Sequence, residues 1–344
     1  MTMRVLQAIA GADVGGAETF FVDLMKGLQE AGLELEVVIR QNAGRAAALR
    51  EAGIDPIELT FGGYFDFITR GALALEIAAF KPDIVQTWMS RATRHMPRGK
   101  FVHVGWLGGY YKPRNFRHCH HVVGVTPDIV SHLRQNGGWP EERSHYIPTL
   151  AVCEPADPLD RADFATPGDA PLLIALGRLH EQKAYDVLLK AVAEVPEAYL
   201  WIAGEGPLRR KLERLSDKLG LAPRVRFLGW REDREALLKT ADICVMPSRY
   251  DSFGNVMVEA WAQDRPVIAA AAAGPRGRIE DGKNGLMVPI DDAGALADAI
   301  RRLIGDSALG VRIAAAGRAI YQGEYAKEAV VARYLEFFAK LVQK

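Results

Sequence analysis

Short apolar runs alternate with stretches whose apolar positions recur every three or four residues, and this alternation organises the first half of the chain. MRVLQAIA at 3–10 is uniformly hydrophobic, as a buried strand is, and 11–16 supply a glycine-bearing turn. Residues 17–31 then place Phe20, Phe21, Leu24, Met25 and Leu28 at helical spacing. Further strands are predicted at 33–40, 56–61, 83–88, 101–104 and 121–125, with helices at 69–80 and 127–135. Strands this apolar belong to a parallel sheet covered on both faces.

Residues 157–171 break the pattern with three prolines and four aspartates, the composition of a linker. The alternation then restarts, with strands predicted at 172–176, 199–203, 225–228, 243–246 and 267–269, and helices starting near Ala184, Pro207, Asp233 and Asn255. No short-period repeat is present. Residues 327–344 carry Val330, Val331, Tyr334, Phe337, Phe338 and Leu341 on one helical face, which must dock against another surface. The expected organisation is an α/β chain of two Rossmann-like domains, 1–165 completed by the 327–344 helix, and 166–326. Ligands of open α/β sheets bind beyond the carboxyl ends of the strands, so a cleft between two facing sheets is the expected site.

Composition narrows the class. The chain has 344 residues, 49% apolar, with 43 basic and 43 acidic side chains, which excludes a disordered chain and one that coats nucleic acid by bulk charge. Cys119, Cys153 and Cys244 are too few and too scattered for a disulfide framework or a zinc ribbon. No apolar run reaches the roughly 18 residues of a spanning helix. The strand pattern begins within three residues, which leaves no room for a signal peptide and points to a cytoplasmic protein.

Four features fall at strand-to-helix turns. GRLHEQK at 177–183 sets Arg178 and Lys183 beside a turning glycine, a pair suited to a diphosphate, although two solvated surface cations have the same spacing. DSFGNVMVE at 251–259 places Ser252 to Asn255 at the start of a helix, where free backbone N–H groups favour an anionic or hydroxyl-rich ligand. Asp251 equally fits plain capping, and Glu259 a dipole-favoured surface acid. Gly15-Gly16-Ala17-Glu18 allows close approach of backbone to a phosphate or sugar. GEGP at 204–207 sets proline at a first helical position, or is a simple tight turn.

Other chemistries find little footing. The first turn is not GxGxxG, the second strand ends at Arg40 without a ribose-binding acid, and Arg209 stands where a third glycine would follow Gly204. There is no GxSxG elbow, HExxH or GxxxxGK[ST] loop. His118, Cys119, His120 and His121 abut a strand whose alternation points neighbours to opposite faces, against a single metal site.

Taken together and in order, GGAE (15–18), GRLHEQK (177–183), GEGP (204–207), RFLGW (226–230), PSRYDSFGNVMVEA (247–260) and DGKNGLMVP (281–289) resemble family 4 of the retaining glycosyltransferases. The likeness spans nearly the whole chain. It implies the GT-B fold, with two Rossmann-like domains facing across a cleft and a C-terminal helix crossing back to the first. It implies an N-terminal acceptor domain and a C-terminal nucleotide-sugar domain, no metal and no cofactor, with a UDP-sugar the favoured co-substrate. Arg178 and Lys183 would hold the donor diphosphate, Glu259 the ribose, and Asp251 the sugar. Phe253, Gly254 and Asn255 would lend backbone groups, Gly229, Trp230 and Arg231 would meet the base, and Gly15, Gly16 and Gly204 would complete the donor site. His103 and Trp106 compete for a place that relatives fill with histidine or arginine near the donor sugar, and His103 joins Arg178, Lys183 and Asp251 as a catalytic candidate. Asp251 stands where the family usually has glutamate, and the segment at 274–277 lacks an acid that many relatives carry. Those departures sustain an alternative: a transferase-like protein that binds sugar nucleotide or glycan without catalysis.

The zero net charge conceals a local excess. From 84 to 127 there is no Asp or Glu, but seven Lys or Arg and five His. Arg91, Arg94, Arg98, Tyr110, Tyr111 and Lys112 read either as a solvated basic face or as a groove for an anionic or sugar-rich acceptor. The loop at 108–112 resembles one in family members that build bacterial polysaccharide or lipopolysaccharide core. That resemblance implies a glycan or glycolipid acceptor and an enzyme visiting the inner face of the cytoplasmic membrane as a peripheral protein, with no nucleic acid partner.

Overall fold

The computed structural model describes residues 3–343 except Val14, Tyr64, Phe65 and Ser252. Seven strands, β1 (Arg4–Ile9), β2 (Glu34–Arg40), β3 (Ile57–Leu59), β4 (Ile84–Trp88), β5 (Val102–Leu107), β6 (His121–Gly124) and β7 (Ser144–Tyr146), form one sheet in the order 3-2-1-4-5-6-7. Six more, β8 (Leu172–Leu176), β9 (Tyr199–Ala203), β10 (Val225–Gly229), β11 (Ile243–Met246), β12 (Val267–Ala270) and β13 (Leu286–Val288), form a second in the order 10-9-8-11-12-13. Every pairing is parallel. In each sheet the strand order reverses beside the first strand, between β1 and β4 and between β8 and β11. A crevice opens at such a point because the flanking loops leave in opposite directions.

The chain divides into two compact units, Met1–Val152 with Glu324–Lys344, and Cys153–Gly323. The crossover therefore lies before the expected boundary at 165/166. The proline- and aspartate-bearing segment is strapped to the second unit: Leu159 N donates to Thr240 Oγ1 at 2.7 Å, Arg161 pairs with Asp242 at 2.8 Å, and the Phe164 ring lies 4.7 Å from that of Trp201. The return likewise comes slightly earlier than 327, with Ala151 N bonded to Tyr325 O at 2.9 Å.

In the first unit, helix Gly16–Glu30 buries Phe20, Phe21, Leu24, Met25 and Leu28, the stripe its spacing predicts. Helix Lys327–Val342 packs into the same core through the six apolar residues named above. The two helices meet where Gly27 has no side chain, since a Cβ there would lie 2.5 Å from Val331 Cγ2. Trp88 and Trp106 stack within this core at 4.3 Å, so Trp106 is a packing residue and not a ligand of any donor. Truncating Phe338 to alanine is expected to cost about 3–5 kcal/mol, read as a lowered denaturant midpoint.

Glu36 on β2 is half-buried, with Oε1 buried and without a partner among the described residues. Burial first, then the neighbouring Glu76, raises its pKa from 4.5 to about 7, against the pull of Arg4. The folded state holds this proton where the unfolded chain has released it, so this contribution to stability is lost as pH climbs from 4.5 to about 7. In Glu36→Gln, the melting-temperature advantage over the parent should therefore widen across that window and level off above it.

Candidate functional site

The loops after β8, β9 and β10 are stitched together by backbone. Gly177 N donates to Ala203 O at 3.0 Å and Gly204 N to Gly229 O at 2.7 Å. Gly204 has φ +149°, and a Cβ there would sit 2.0 Å from Gly177 O. Beside these loops, at the carboxyl ends of β8, β9, β10 and β11, opens a cavity of about 370 Å³. It is lined among others by Gly177, Lys183, Gly204, Trp230, Arg231, Asp251, Phe253, Asn255 and Glu259, so one pocket gathers predicted residues that lie up to 76 positions apart (183 to 259).

Its charged groups are arranged asymmetrically. Lys183 Nζ donates to Asp251 Oδ2 at 2.7 Å, while Asp251 Oδ1 accepts from Gly254 N at 2.7 Å and Phe253 N at 3.3 Å. Asp251 thus holds the lysine and the entry to helix Asn255–Ala262 together; Ser252 lies outside the described residues. Gly254 supplies the left-handed turn at φ +81°. Glu259 sits a turn further in, its side chain only 14% exposed. Its Oε1 accepts from Arg234 Nη1 at 3.0 Å, but Oε2 has no partner among the described residues. Burial is the main cause raising this carboxyl's pKa, with Arg234 opposing it. Trp230 is 75% exposed, a flat aromatic face at the rim. Arg231 is held by Asp233 at 2.5 Å and lies over the Phe164 ring. Arg178 is exposed beyond the cavity wall, its side chain making no hydrogen bond or ion pair among the described residues.

The predicted residues of the first unit fare differently. Glu18 folds back beneath the Gly15-Gly16 turn and accepts from Ala12 N at 2.8 Å. A Cβ on Gly15 would fall 2.4 Å from its carboxylate, whereas Gly16 faces open space. A carboxylate already fills this turn, so it suits a hydroxyl better than a phosphate. His103 is not placed for catalysis. It is the second residue of β5, away from the strand's carboxyl end, buried, with Nε2 2.9 Å from Thr87 Oγ1. Burial pushes its pKa down to about 4, helped by His120 and His118. It is a neutral core histidine.

The basic stretch also separates. Arg91, Arg94 and Arg98 line a groove of about 1480 Å³ with Arg40, Arg70, Arg114, Arg117 and Arg143, and no carboxylate is among its lining residues. Tyr110, Tyr111 and Lys112 are not among them. Tyr110 O–H donates to Asp128, Tyr111 packs on the first core, and Lys112 precedes the short turn Pro113–Phe116. The histidine run disperses as alternation requires: His118 meets Arg98, His120 accepts from His103 N, and His121 meets His145.

Residues 170–306 match the family model "Glycosyl transferases group 1", and residues 14–151 match "Glycosyltransferase Family 4". The lipopolysaccharide core biosynthesis glycosyltransferase LpsE of Rhizobium meliloti is 36% identical over 98% of this chain and 99% of its own length. The chain is a family 4 glycosyltransferase. Its fold is GT-B: a glycosyltransferase from Rickettsia africae aligns with TM-score 0.85 at 20% identity over 100% of this chain and 99% of that one. Anabaena HepE, in a crystal structure with UDP, aligns with TM-score 0.82 at 20% identity over 98% and 100%.

Sequence reading missed two features of this glycosyltransferase's geometry. Arg234 is the partner of Glu259, yet it lies 25 residues away on another helix, and no spacing signals the pairing. Arg40, Arg70 and Arg143 join the groove only because the sheet order brings their elements beside helix Met89–His95. The glycine contact is directly testable. Gly204→Ala must push the loops after β8 and β9 away from each other, and should cost about 1–3 kcal/mol of stability, read as a lowered melting temperature. Gly168→Ala, with open space around it, should melt as the parent does.

Proposed function

We propose that this glycosyltransferase transfers a sugar, with retention and without a metal, from a UDP-sugar to a glycolipid acceptor in lipopolysaccharide core synthesis. The observation that carries the donor reading is Glu259 Oε2, a buried, unpartnered carboxylate oxygen on a residue lining a cavity that also holds Lys183 and a helix entry. A ribose hydroxyl donating to that oxygen satisfies it. The diphosphate then meets Lys183 and the N–H groups at the start of helix Asn255–Ala262, and Trp230 offers a stacking face to the base. Similarity to LpsE supports the pathway, and the UDP complex of HepE supports the choice of base.

In the reaction the bond from the sugar's anomeric carbon to the β-phosphate oxygen breaks. The acceptor oxygen bonds that carbon from the same face, and its proton passes to a phosphate oxygen of the departing UDP. Negative charge grows on the diphosphate as the bond lengthens. In this reading Lys183 and the helix entry offset that charge, and Arg178, exposed and without an ion pair among the described residues, adds to them. Asp251 orients Lys183 and reaches the sugar with one methylene less than glutamate. Purely non-catalytic binding is not favoured, since LpsE, matched along its full length, is named a transferase. A lipid-linked acceptor is presented at a membrane, and no helix among the described residues is long and apolar enough to cross one. The enzyme would work as a peripheral visitor at the cytoplasmic face.

Thermal denaturation with UDP-, GDP- and ADP-sugars tests the donor. A UDP-sugar at about a hundred times its Kd should add about 2.7 kcal/mol of stability, and the others little. No response to any nucleotide-sugar would overturn the reading. Lys183→Ala should lower transfer or donor hydrolysis at least about a hundredfold.

A further inference from the structure

Glu259 takes its partner from another helix. Arg234 opens helix Arg234–Thr240, and its Nη1 donates to Glu259 Oε1 at 3.0 Å. The approach to that helix is fixed, because Arg231 grips the carboxylate of Asp233, the residue before Arg234, through Nε at 2.8 Å and Nη2 at 2.5 Å. Both Arg234 and Glu259 line the donor-side cavity. They are unequal members of the pair: the arginine side chain is 51% exposed and the glutamate 14%. An ion pair with so exposed a partner contributes little to stability. Its effect falls on the carboxylate, which is left half-used, with Oε2 buried and without a partner among the described residues.

The charges around Glu259 show why one arginine matters. Burial is the largest influence and disfavours the ionised carboxyl; Arg234 opposes it, Glu235 reinforces it, and Lys183 opposes it more weakly. The other neighbours supply no further cation to this carboxyl. Cys153 and Cys244 on β11 are thiols kept neutral chiefly by burial. Strand β12 carries no titratable group, and Arg318 of helix Ser307–Ile320 bonds the Ala262 carbonyl and pairs with Asp264, at the far end of helix Asn255–Ala262. Lys183 is already bonded to Asp251, and a bound diphosphate would compete for it while bringing negative charge of its own. Arg234 is then the cation left to Glu259. With Arg234 on Oε1, a proton taken up by this carboxyl must sit on Oε2, turning that oxygen from acceptor into donor. Ionised, Oε2 keeps lone pairs for two neighbouring hydroxyls, the pattern that a ribose presents.

We propose that Arg234 is a positioning residue for the donor's ribose: by occupying Oε1 it reserves Oε2 of Glu259 as the carboxylate acceptor for the 2′- and 3′-hydroxyls. Arg234 acts on the nucleotide through Glu259 alone. This inference rests on the donor reading above and adds to it a residue and a specificity for ribose.

The test is calorimetric binding of UDP and of 2′,3′-dideoxy-UDP, from about pH 8 down to about pH 6. The ratio of the two affinities cancels the titration of the phosphate itself. The parent should prefer UDP at least about tenfold throughout, the size expected of hydrogen bonds to a charged group. In Arg234→Gln the preference should shrink toward unity as pH falls and recover as it rises, because loss of the cation raises the Glu259 pKa and protonation closes Oε2. Arg234→Lys should restore the parent's profile. A purely structural ion pair predicts a lowered melting temperature and an unchanged ratio at every pH, and that outcome overturns the inference alone. Equal weakening of both nucleotides in Arg234→Gln overturns it too, since Arg234 would then contact the base or phosphates directly. A parent that binds the two nucleotides equally removes the ribose reading of Glu259 and this inference with it.

Discussion

The Gly204 backbone runs so close to the Gly177 carbonyl that a single methyl group between them has no room, and the donor-side cavity depends on that contact. Parallel strands alone bring their carboxyl ends within a few ångströms of one another, but the loops that leave them diverge. Here the loops after β8, β9 and β10 are tied edge to edge by backbone hydrogen bonds. On the side of Gly177 and Gly204 the cavity wall is consequently main chain. The side chains that project over it, Lys183 from one side and Glu259 from another, keep fixed separations without having to bond each other. Lys183 is then steadied by Asp251, and Asp251 by the amides of Phe253 and Gly254. The polar network is a consequence of the backbone contact.

The architecture was legible because strands covered on both faces must be apolar throughout, and helices packed on them must show a stripe. Leu172 to Leu176 and the stripe of Phe20, Phe21, Leu24, Met25 and Leu28 satisfy those demands without ambiguity. The three-residue edge strands β7 and β13 carry too few positions for any period to register. The segment around Arg161 and Phe164 misleads because its composition is that of a linker. Two anchoring side chains are enough to strap it down, and composition does not weigh two residues.

At the site, legibility followed locality. Motifs confined to one turn, such as the approach to Lys183 or the entry at Gly254, announce themselves by glycine and charge. Pairings across elements, such as Arg234 with Glu259, depend on sheet order and leave no trace in spacing. The acid-free stretch was visible as a charge excess. Which members share a groove was not: Trp106 turned into the core and Tyr111 packed against it, because large aromatic faces gain more from burial than from lining a wet surface. His103 followed the same logic, losing its charge to burial.

The helix at 327–342 closes the core of the first unit, although the whole second unit is made before it. During synthesis, residues 153–323 form an uninterrupted segment able to complete their own core. The earlier unit meanwhile waits with its core lacking Val330, Val331, Tyr334, Phe337, Phe338 and Leu341, and with Gly27 lacking Val331 to pack on it. Order of translation and order of completion are therefore reversed in this chain. The unit that begins first finishes last, and its half-built hydrophobic face is what a chaperone would meet on the ribosome.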